Sequence, residues 1–366
     1  MFNYYDHQRA SAMSQKKVDY IIVGQGLAGS CLALQLKERG KQFIVFDQPQ
    51  LNRSTAVAAG LFNPITGRVM TKTWKADLLF SYLLLFYHKA EELLNNKFFH
   101  CQNLYRPFLS IEEQNEWMAK SEDAELKKYI EQVFLHSAYG SQVNDPLGGL
   151  LLKQCGHLDT ISFTDAVRRL LLECGSYREE NFDHALLEMK EGTVEYQDII
   201  AQKIIFCGGL ADTLKDYFKA LPLRPLKGET LQIKIDQPLD KIYNRGVYIV
   251  PTQVMHEYKV GATYSTQDKN EQITAAARKE LEVKLSDLIR LPYEVTHQNW
   301  GMRPSSSDRR PILGPHPKEN KLIIFNGLGT KGVSLAPYFS GQLADWLDGK
   351  GEIDREVNIA RFYSKM

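Results

Sequence analysis

Three glycines near the amino terminus form the pattern in this sequence best suited to holding a charged cofactor. Gly24, Gly26 and Gly29 spell GxGxxG directly after the apolar run Val18–Val23. In this spacing the first glycine permits a tight turn, the second lets a pyrophosphate approach the backbone, and the third lets a helix pack against a strand. The amino terminus of that helix would face the phosphate charge. The pattern predicts a dinucleotide-binding turn.

An acidic residue closes the next apolar strand. Asp47 follows Phe43–Phe46 and lies 18 residues after Gly29, where a carboxylate can accept hydrogen bonds from the ribose hydroxyls of an adenosine. The same carboxylate would repel a 2′-phosphate, which disfavours NADP. The motif by itself leaves both FAD and NAD open.

A second GxGxxG, Gly327–Gly332, also follows an apolar strand and precedes a helical pattern. The chain ends at Met366, so too little sequence follows this motif to complete a second β-α-β unit. We therefore do not interpret it as a second nucleotide site.

Composition restricts the classes of partner. The 366 residues carry a formal net charge of +1, which offers no broad positive surface for a nucleic acid. None of the nine histidines has metal-ligand spacing, so we expect no metal site. The cysteines form no CxxC pair and are odd in number, which favours reduced thiols in a cytoplasmic protein; they are Cys31, Cys101, Cys155, Cys174 and Cys207.

The most apolar stretch, Leu78–Tyr87, is about half the length of a membrane span, which needs about 20 apolar residues. We expect a buried helix there and no membrane span, with a surface-docking or partner-binding helix as the alternative. Residues 1–17 are polar and lack the apolar run of a signal peptide. We expect residues 1–16 to be an amino-terminal extension.

Alternating helical and strand patterns predict the elements that position these residues, beginning with a β-α-β unit and its helix at Leu27–Arg39. Further helices are expected at Ala76–Asn95, Phe163–Cys174, Ile273–Ile289 and Gly332–Trp346, with Glu112–Val133 mostly helical and Leu51–Lys75 an ordered loop. Strands are expected within Phe98–Ser110 and Asp145–Gly156, in a meander over Tyr177–Phe206, and at Glu229–Ile235, Gly246–Val250, Tyr258–Ala262 and Lys321–Asn326.

Islands of sequence spread over most of the chain carry a family resemblance. They are the glycine motif with Asp47, Ser54–Pro64, Phe206–Gly209, Lys227–Glu229, Tyr248–Pro251 with Val260–Thr263, Gly301–Pro304 with Asp308–Gly314, and Asn326–Pro337. Together they resemble the D-amino-acid oxidase family of flavoproteins, in its glycine oxidase and sarcosine oxidase branch. Many relatives have Glu at Asp47, Arg-Gly-Gln at Lys227–Glu229 and Ala-Gly-Ala at Cys207–Gly209. Residues 99–145 match nothing in the family pattern and are expected to help select the substrate.

The resemblance implies an α/β fold in which a Rossmann-like FAD-binding domain interleaves with a substrate domain built on a large mixed or antiparallel sheet. We expect residues 17–75, 148–225 and 298–366 in the first domain, and residues 76–147 and 226–297 in the second. The cofactor-binding residues it implies are Gly24, Gly26, Leu27, Ala28, Gly29, Asp47, Ser54, Thr55, Ala59, Gly60, Leu61, Asn63, Cys207, Gly208, Gly209, Arg303, Gly327, Gly329, Thr330, Lys331 and Gly332.

Non-covalent FAD is expected, because the loops that the resemblance brings near the flavin ring, Asn63–Arg68 and Asn326–Ser334, contain no Cys or His. Three residues carry the expected chemistry. Arg303 would bind a substrate carboxylate with its guanidinium fork, and Tyr248 would donate a hydrogen bond to the same group. Lys331, at a helix start, would stabilise negative charge on reduced flavin. The alternatives are a structural ion pair, a core tyrosine and a solvated lysine.

The resemblance implies oxidation of the C–N bond of a small amino acid or N-substituted glycine by hydride transfer to flavin N5. The alternatives are a flavin enzyme of the same fold acting on a larger substrate such as a modified tRNA base, a dehydrogenase that passes electrons to a carrier rather than O2, and a flavin- or NAD-binding module without activity. The sequence leaves the oligomeric state open.

Overall fold

The structure is a computed structural model that describes residues 15–49, 53–67, 70–213 and 217–366. Most of the expected extension (residues 1–14), the first two residues of the Leu51–Lys75 loop and Arg68 lie outside this range. The helices are α1 (Leu27–Glu38), α2 (Ser54–Val57), α3 (Ala76–Leu94), α4 (Ile111–Lys120), α5 (Ala124–Lys127), α6 (Thr160–Glu173), α7 (Ala275–Leu288) and α8 (Gly332–Leu347). Short 3-10 helices occupy His184–Leu186, Gly209–Thr213 and Ile359–Lys365.

The strands form two large sheets and two small ones. They are β1 (Lys16–Val23), β2 (Phe43–Asp47), β3 (Leu61–Phe62), β4 (Ile65–Thr66), β5 (Thr71–Lys72), β6 (Phe99–Cys101), β7 (Leu104–Pro107), β8 (Ile130–Phe134), β9 (Gly149–Leu152), β10 (Gly156–Leu158), β11 (Tyr177–Glu179), β12 (Leu187–Met189), β13 (Val194–Tyr196), β14 (Ile199–Phe206), β15 (Leu223–Lys234), β16 (Ile242–Arg245), β17 (Val247–Pro251), β18 (Glu257–Gly261), β19 (Glu294–Ser306), β20 (Ile312–Pro315) and β21 (Leu322–Asn326).

The first sheet has a parallel centre in the order β11-β2-β1-β14-β21. The β12–β13 hairpin adds to the start of β14, and β20 runs antiparallel to β21. Since the carboxyl ends of parallel strands meet at one edge of a sheet, Gly24, Asp47, Cys207 and Gly327, which end or follow four of these strands, come to the same edge.

The second sheet has the order β19-β15-β18-β17-β16-β7-β9-β8 and is antiparallel except between β16 and β7. One of its faces packs under α7 in an apolar cluster that includes Tyr105, Tyr243, Ile249 and Leu281. Along β7 and β17 alternate side chains point to the opposite face. That face therefore carries Arg106 and Tyr248.

Several strands of the second sheet differ from the sequence-based expectation. Strands β16 and β19 were not expected, and residues 298–306 of β19 had been grouped with the FAD-binding segments. Gly149–Leu152, which we grouped with the FAD-binding segments, pairs with β7 and β8 in the second sheet. The end of Glu112–Val133, which was expected to be mostly helical, forms β8 at Ile130–Phe134. In this strand Ile130 is buried, and the exposed residues Glu131 and Gln132 are polar. The bounds of the two domains stay a prediction, while the α/β fold with two large sheets is confirmed.

The apolar run Leu78–Tyr87 lies within α3, as expected. Its side chains at helical spacing are buried, among them Leu79, Phe80, Leu83 and Tyr87, whereas Leu78 and Leu85 are exposed. Within the described residues, no helix is both long enough and apolar enough to cross a membrane.

Candidate functional site

A cavity of about 2360 Å³ runs from the edge of the first sheet that carries Gly24 and Asp47 to the face of the second sheet that carries Arg106 and Tyr248. Gly29 and Gly327 lie outside its lining, but the other residues predicted for the site form part of its wall. They are Gly24, Gly26, Leu27, Ala28, Asp47, Ser54, Thr55, Ala59, Gly60, Leu61, Asn63, Cys207, Gly208, Gly209, Tyr248, Arg303, Gly329, Thr330, Lys331 and Gly332.

The glycine turn is packed so closely that side chains cannot enter it. Gly24 has a φ of +95°, and a Cβ there would lie 2.7 Å from the Gly208 Cα. A Cβ at Gly29 would lie 1.9 Å from the Gly24 carbonyl oxygen. Gly29 therefore lets α1 approach β1, and Gly26, the residue before α1, leaves bare backbone facing the cavity. This cradle fits a pyrophosphate group.

Asp47 is 4% exposed and already has protein partners. Its Oδ1 accepts a hydrogen bond of 2.8 Å from the Gln25 backbone N–H, and Arg53 Nη1 lies 2.6 Å from Oδ1 and 2.8 Å from Oδ2. Tyr177 Oη also lies 3.4 Å from Oδ2. A carboxylate offers about four acceptor sites, so a ribose hydroxyl would take the place of one of these contacts. Arg53, which no sequence motif indicated, also lines the cavity.

The segment from α2 to Asn63, which follows β3, contains a buried donor without a partner among the described residues. Thr55 Oγ1 accepts a hydrogen bond of 3.3 Å from the Leu27 backbone N–H, which joins this segment to the glycine turn. Asn63 Oδ1 accepts from the Ile65 N–H at 3.0 Å. Asn63 Nδ2 is buried and has no hydrogen-bond partner within the described part of the chain. A buried unpaired donor is costly, and an acceptor atom of a bound cofactor would satisfy it, so the residues present fit FAD.

Arg303 and Tyr248 lie close together on the wall that the second sheet provides. A Cβ at Gly228 would lie 2.2 Å from both Arg303 Nη1 and Nη2, so the guanidinium rests against that glycine. Burial, opposed by nearby Arg303, raises the pKa of Tyr248 to about 12, so its hydroxyl remains a donor at neutral pH. Burial lowers the pKa of Arg303. Within residues 15–49, 53–67, 70–213 and 217–366, neither side chain forms an ion pair or a side-chain hydrogen bond.

Lys331 immediately precedes α8 and points into the protein rather than into solvent. Its Nζ lies 3.1 Å from Thr66 Oγ1 and 3.4 Å from Thr73 Oγ1. Burial, reinforced by Arg310 and Arg309, lowers the pKa of Lys331. No carboxylate among the described residues pairs with it, so the lysine supplies a positive charge to the cavity wall.

A buried carboxyl that the sequence analysis missed ties two strand ends together. Asp212 Oδ2 accepts from the Gly208 N–H at 2.7 Å and from Asn326 Nδ2 at 3.0 Å. Asn326 Oδ1 in turn accepts from the Gly327 N–H at 2.7 Å. Burial raises the pKa of Asp212 to about 8 despite these two donors. This chain of hydrogen bonds holds the Gly327–Gly332 turn against the end of β14.

Another arginine on the cavity wall, Arg106 of β7, was also missed. The signal was present: Arg106 lies between Tyr105 and Pro107 in a segment expected to form strands, where its neighbours point to the opposite face. Asn244 and the ion-paired Arg245 and Glu113 line the same region. This part of the cavity draws on residues 99–145, the segment expected to influence substrate choice.

Comparison with known proteins agrees with this arrangement. A sequence model of the family DAO, described as FAD dependent oxidoreductase, matches residues 19–346. The bifunctional protein ThiO/ThiG of Nostoc is 24% identical over 351 residues, which cover 89% of this chain and 52% of that protein. The chain thus spans about half the length of that relative. The glycine oxidase of Bacillus subtilis is 22% identical over 379 residues, covering 94% of this chain and 95% of the relative.

Solved structures share the fold. Glycine oxidase from Geobacillus kaustophilus superposes with a TM-score of 0.76 at 18% identity, covering 94% of this chain and 98% of that one. Iminodiacetate oxidase from Chelativorans sp. gives a TM-score of 0.74 at 20% identity, covering 92% and 97%. The expected resemblance to a glycine oxidase-like branch is confirmed.

Proposed function

The chain belongs to the DAO family of FAD-dependent oxidoreductases, and from that membership we propose that it oxidises the C–N bond of a small amino acid or N-substituted glycine. The observation that carries the proposal is a pair of groups on the cavity wall, the Arg303 guanidinium and the Tyr248 hydroxyl, that have no side-chain partner among the described residues. A guanidinium fork matches the two oxygens of a carboxylate, and a phenol donates one further hydrogen bond.

Each of these residues has a binding or orienting role in the proposed reaction. FAD, when bound, supplies the hydride acceptor, flavin N5. Arg303 binds the α-carboxylate and Tyr248 donates to one of its oxygens, which fixes the orientation of the adjacent C–H bond. Lys331 holds a positive charge at the wall near the α8 amino terminus, where it favours a cofactor that gains negative charge. Water hydrolyses the imine product.

We further propose that FAD is held without a covalent bond. Among the described residues that line the cavity, the Cys and His side chains are Cys207, beside the glycine turn, and His184, beyond β11. Neither lies in the described part of the segments Asn63–Arg68 and Asn326–Ser334, which are expected near the ring. Acid precipitation should release all of the yellow colour into the supernatant, and a flavin-fluorescent protein band after denaturation would contradict this.

The reaction is tested by anaerobic bleaching of the flavin with matched pairs of amines. Glycine, N-methylglycine and D-alanine are compared with methylamine, dimethylamine and ethylamine, which lack only the carboxylate. We expect bleaching by at least one carboxylate amine and none by its partner. Equal rates within every pair, or no bleaching by any amine, would overturn the proposal. The rate at which the reduced flavin is reoxidised, by air in one sample and by a quinone without air in another, then compares O2 with a quinone as the electron acceptor.

A further inference from the structure

Arg106 is a buried cation that lacks an anionic partner in the part of the chain that the structure describes. Its side chain lies on β7, the residue is 6% exposed, and it lines the cavity. Nη2 donates a hydrogen bond of 2.9 Å to the Gly67 carbonyl oxygen. Its Nε is buried and makes no hydrogen bond to any residue that the structure describes.

Glu113, the carboxylate whose charge acts on Arg106, is already paired with another arginine. Both oxygens of Glu113 bind the neighbouring Arg245, at 2.9 Å from Nη1 and 2.8 Å from Nη2. Glu113 Oε2 also accepts from the Leu109 backbone N–H. No carboxylate of the described chain lies within ion-pair distance of Arg106, and the other acids of α4 that line the cavity, Glu112 and Glu116, have exposed side chains.

The lack of a partner leaves a charge to be compensated. Burial and the positive charge of Arg245 lower the pKa of Arg106 to about 10, and the negative charge of Glu113 opposes this shift. The guanidinium therefore stays protonated at neutral pH. A buried charge without a counter-ion is expensive in free energy, and an anionic group entering the cavity would offset that cost.

The sheet sets the distance between this charge and the proposed carboxylate site. Tyr243 pairs with Tyr105, so the next residue along each parallel strand brings Asn244 beside Arg106. Asn244 in turn pairs with Tyr248 on β17. Arg106 and Tyr248 thus share a sheet face with one strand between them, and their Cα atoms are separated by two strand spacings, roughly 10 Å.

We propose that Arg106 binds a second anionic group of the substrate, and that the natural substrate is an amine with two carboxylates. This inference rests on the proposed function. The first carboxylate, next to the oxidised carbon, is bound by Arg303 and Tyr248, and the distal carboxylate is bound by Arg106. The Tyr248 hydroxyl leans over Gly261 of β18, where a Cβ would lie 2.7 Å from it, so it is about three strand spacings from β7. The long Arg106 side chain covers part of that distance, and an amino dicarboxylate of a few carbon atoms suits the rest.

The test compares substrates that differ by one carboxylate in the FAD-loaded enzyme. N-methylglycine is paired with iminodiacetate, D-alanine with D-aspartate, and D-2-aminobutyrate with D-glutamate. Anaerobic stopped-flow bleaching measures the rate of reduction and the concentration for half-maximal rate. We expect at least one dicarboxylate to reach half-maximal rate at a concentration at least tenfold lower than its monocarboxylate partner.

Arg106→Met should then raise the half-maximal concentration for the dicarboxylate by about ten- to hundredfold more than that for the monocarboxylate, as expected for a lost hydrogen bond to a charged group. Arg106→Lys should recover part of the difference. Arg309→Gln, which removes an exposed cation from the same cavity wall, should leave the ratio unchanged. Spectral titration of the flavin with succinate and propionate gives a second readout: the wild type should bind succinate more tightly, and Arg106→Met should lose that preference.

The outcomes separate this inference from the proposed function. If monocarboxylates bleach the flavin and no dicarboxylate is better, or if Arg106→Met weakens both classes equally, the inference fails while the proposed function stands. If no carboxylate amine bleaches the flavin, the proposed function fails with it. If Arg106→Met does not fold, Arg106→Gln replaces it, and a dicarboxylate preference that Arg106→Gln leaves unchanged in both assays overturns the inference.

Discussion

The guanidinium of Arg303 rests against the backbone of Gly228, where a Cβ would lie 2.2 Å from both terminal nitrogens. The two residues lie on the paired strands β19 and β15, with Gly228 opposite Gly301. A contact this close leaves no room for any side chain at position 228. The glycine of Lys227–Glu229 thereby determines where the proposed carboxylate-binding group can lie.

Gly228→Ala should therefore displace the guanidinium and raise the KM for carboxylate amines. An error of about 1 Å in the position of a reacting group can cost 10²-fold, so we expect a loss of kcat/KM of about that size with FAD still bound. Steady-state kinetics and the flavin spectrum measure the two effects. Gly351→Ala, whose Cβ would meet only ordinary contacts at 3.6 Å, is the control. Unchanged KM in Gly228→Ala would show that Arg303 does not bind the substrate.

Arg303→Lys keeps the charge but loses the fork, and should raise the KM for the carboxylate substrate by about tenfold or more. Arg303→Ala should lose most activity toward carboxylate amines and leave FAD bound. Tyr248→Phe should raise KM by a smaller factor. Because the pKa of Tyr248 is raised to about 12, its deprotonation should not appear in the pH profile below about pH 10. Equal activity of Arg303→Ala on an amino acid and on the matching amine, at the wild-type KM, would assign Arg303 another role.

Asp47→Ala should weaken FAD binding about ten- to hundredfold, the range for hydrogen bonds to a charged group, while turnover at saturating FAD changes little. Titration of apoprotein with FAD measures the affinity. Arg53→Gln is the matched control, because it breaks the Asp47–Arg53 ion pair and keeps the carboxylate, so its effect should be smaller. An affinity of Asp47→Ala equal to that of the wild type would rule out a ribose contact.

The first β-α-β unit was predictable because strand, turn, helix, strand and terminal acid all occur within one short segment. The close approach of Gly24 to Gly208 was not predictable from the residues alone, since the two are distant in sequence and meet only when β1 pairs with β14. Only the resemblance to known flavoproteins predicted that Cys207, Gly208 and Gly209 belong to the cofactor site.

The long strand β19 went unrecognised because its sequence, EVTHQNWGMRPSS, has no clear alternation of apolar and polar residues. It is stabilised by pairing along most of its length with β15, a non-local contact that a local pattern cannot reveal. Arg106 was missed for a related reason. An arginine in a strand resembles a surface residue until a second layer covers that face of the sheet.

Lys331→Met should lower the reduction potential of the bound flavin. Loss of a positive charge from the cavity wall disfavours an anionic reduced cofactor, and each 1.4 kcal/mol lost corresponds to about 30 mV in a two-electron couple. Spectroelectrochemical titration measures the shift. Lys350→Met removes an exposed charge beyond the end of α8 and should leave the potential unchanged. A potential of Lys331→Met equal to that of the wild type would place the lysine away from the ring.

Burial raises the pKa of Asp212 to about 8 from an ordinary value of 3.8. The folded protein therefore binds this proton more tightly than the unfolded chain does. Its stabilising effect is fully present below about pH 4 and is lost as the pH rises through 8. Each unit of pKa shift corresponds to about 1.4 kcal/mol, so the loss should amount to a few kcal/mol over this window.

Asp212→Asn keeps an acceptor for the Gly208 N–H and the Asn326 amide but cannot ionise. The mutant should therefore lose less stability than the wild type between pH 5 and pH 8.5, measured by denaturant unfolding of the apoprotein so that FAD binding does not contribute. Asp236→Asn, at an exposed position, is the control and should follow the wild-type curve. Parallel curves for wild type and Asp212→Asn would mean that Asp212 is ionised in the folded protein across this range, and that its two donors outweigh the cost of burying the charge.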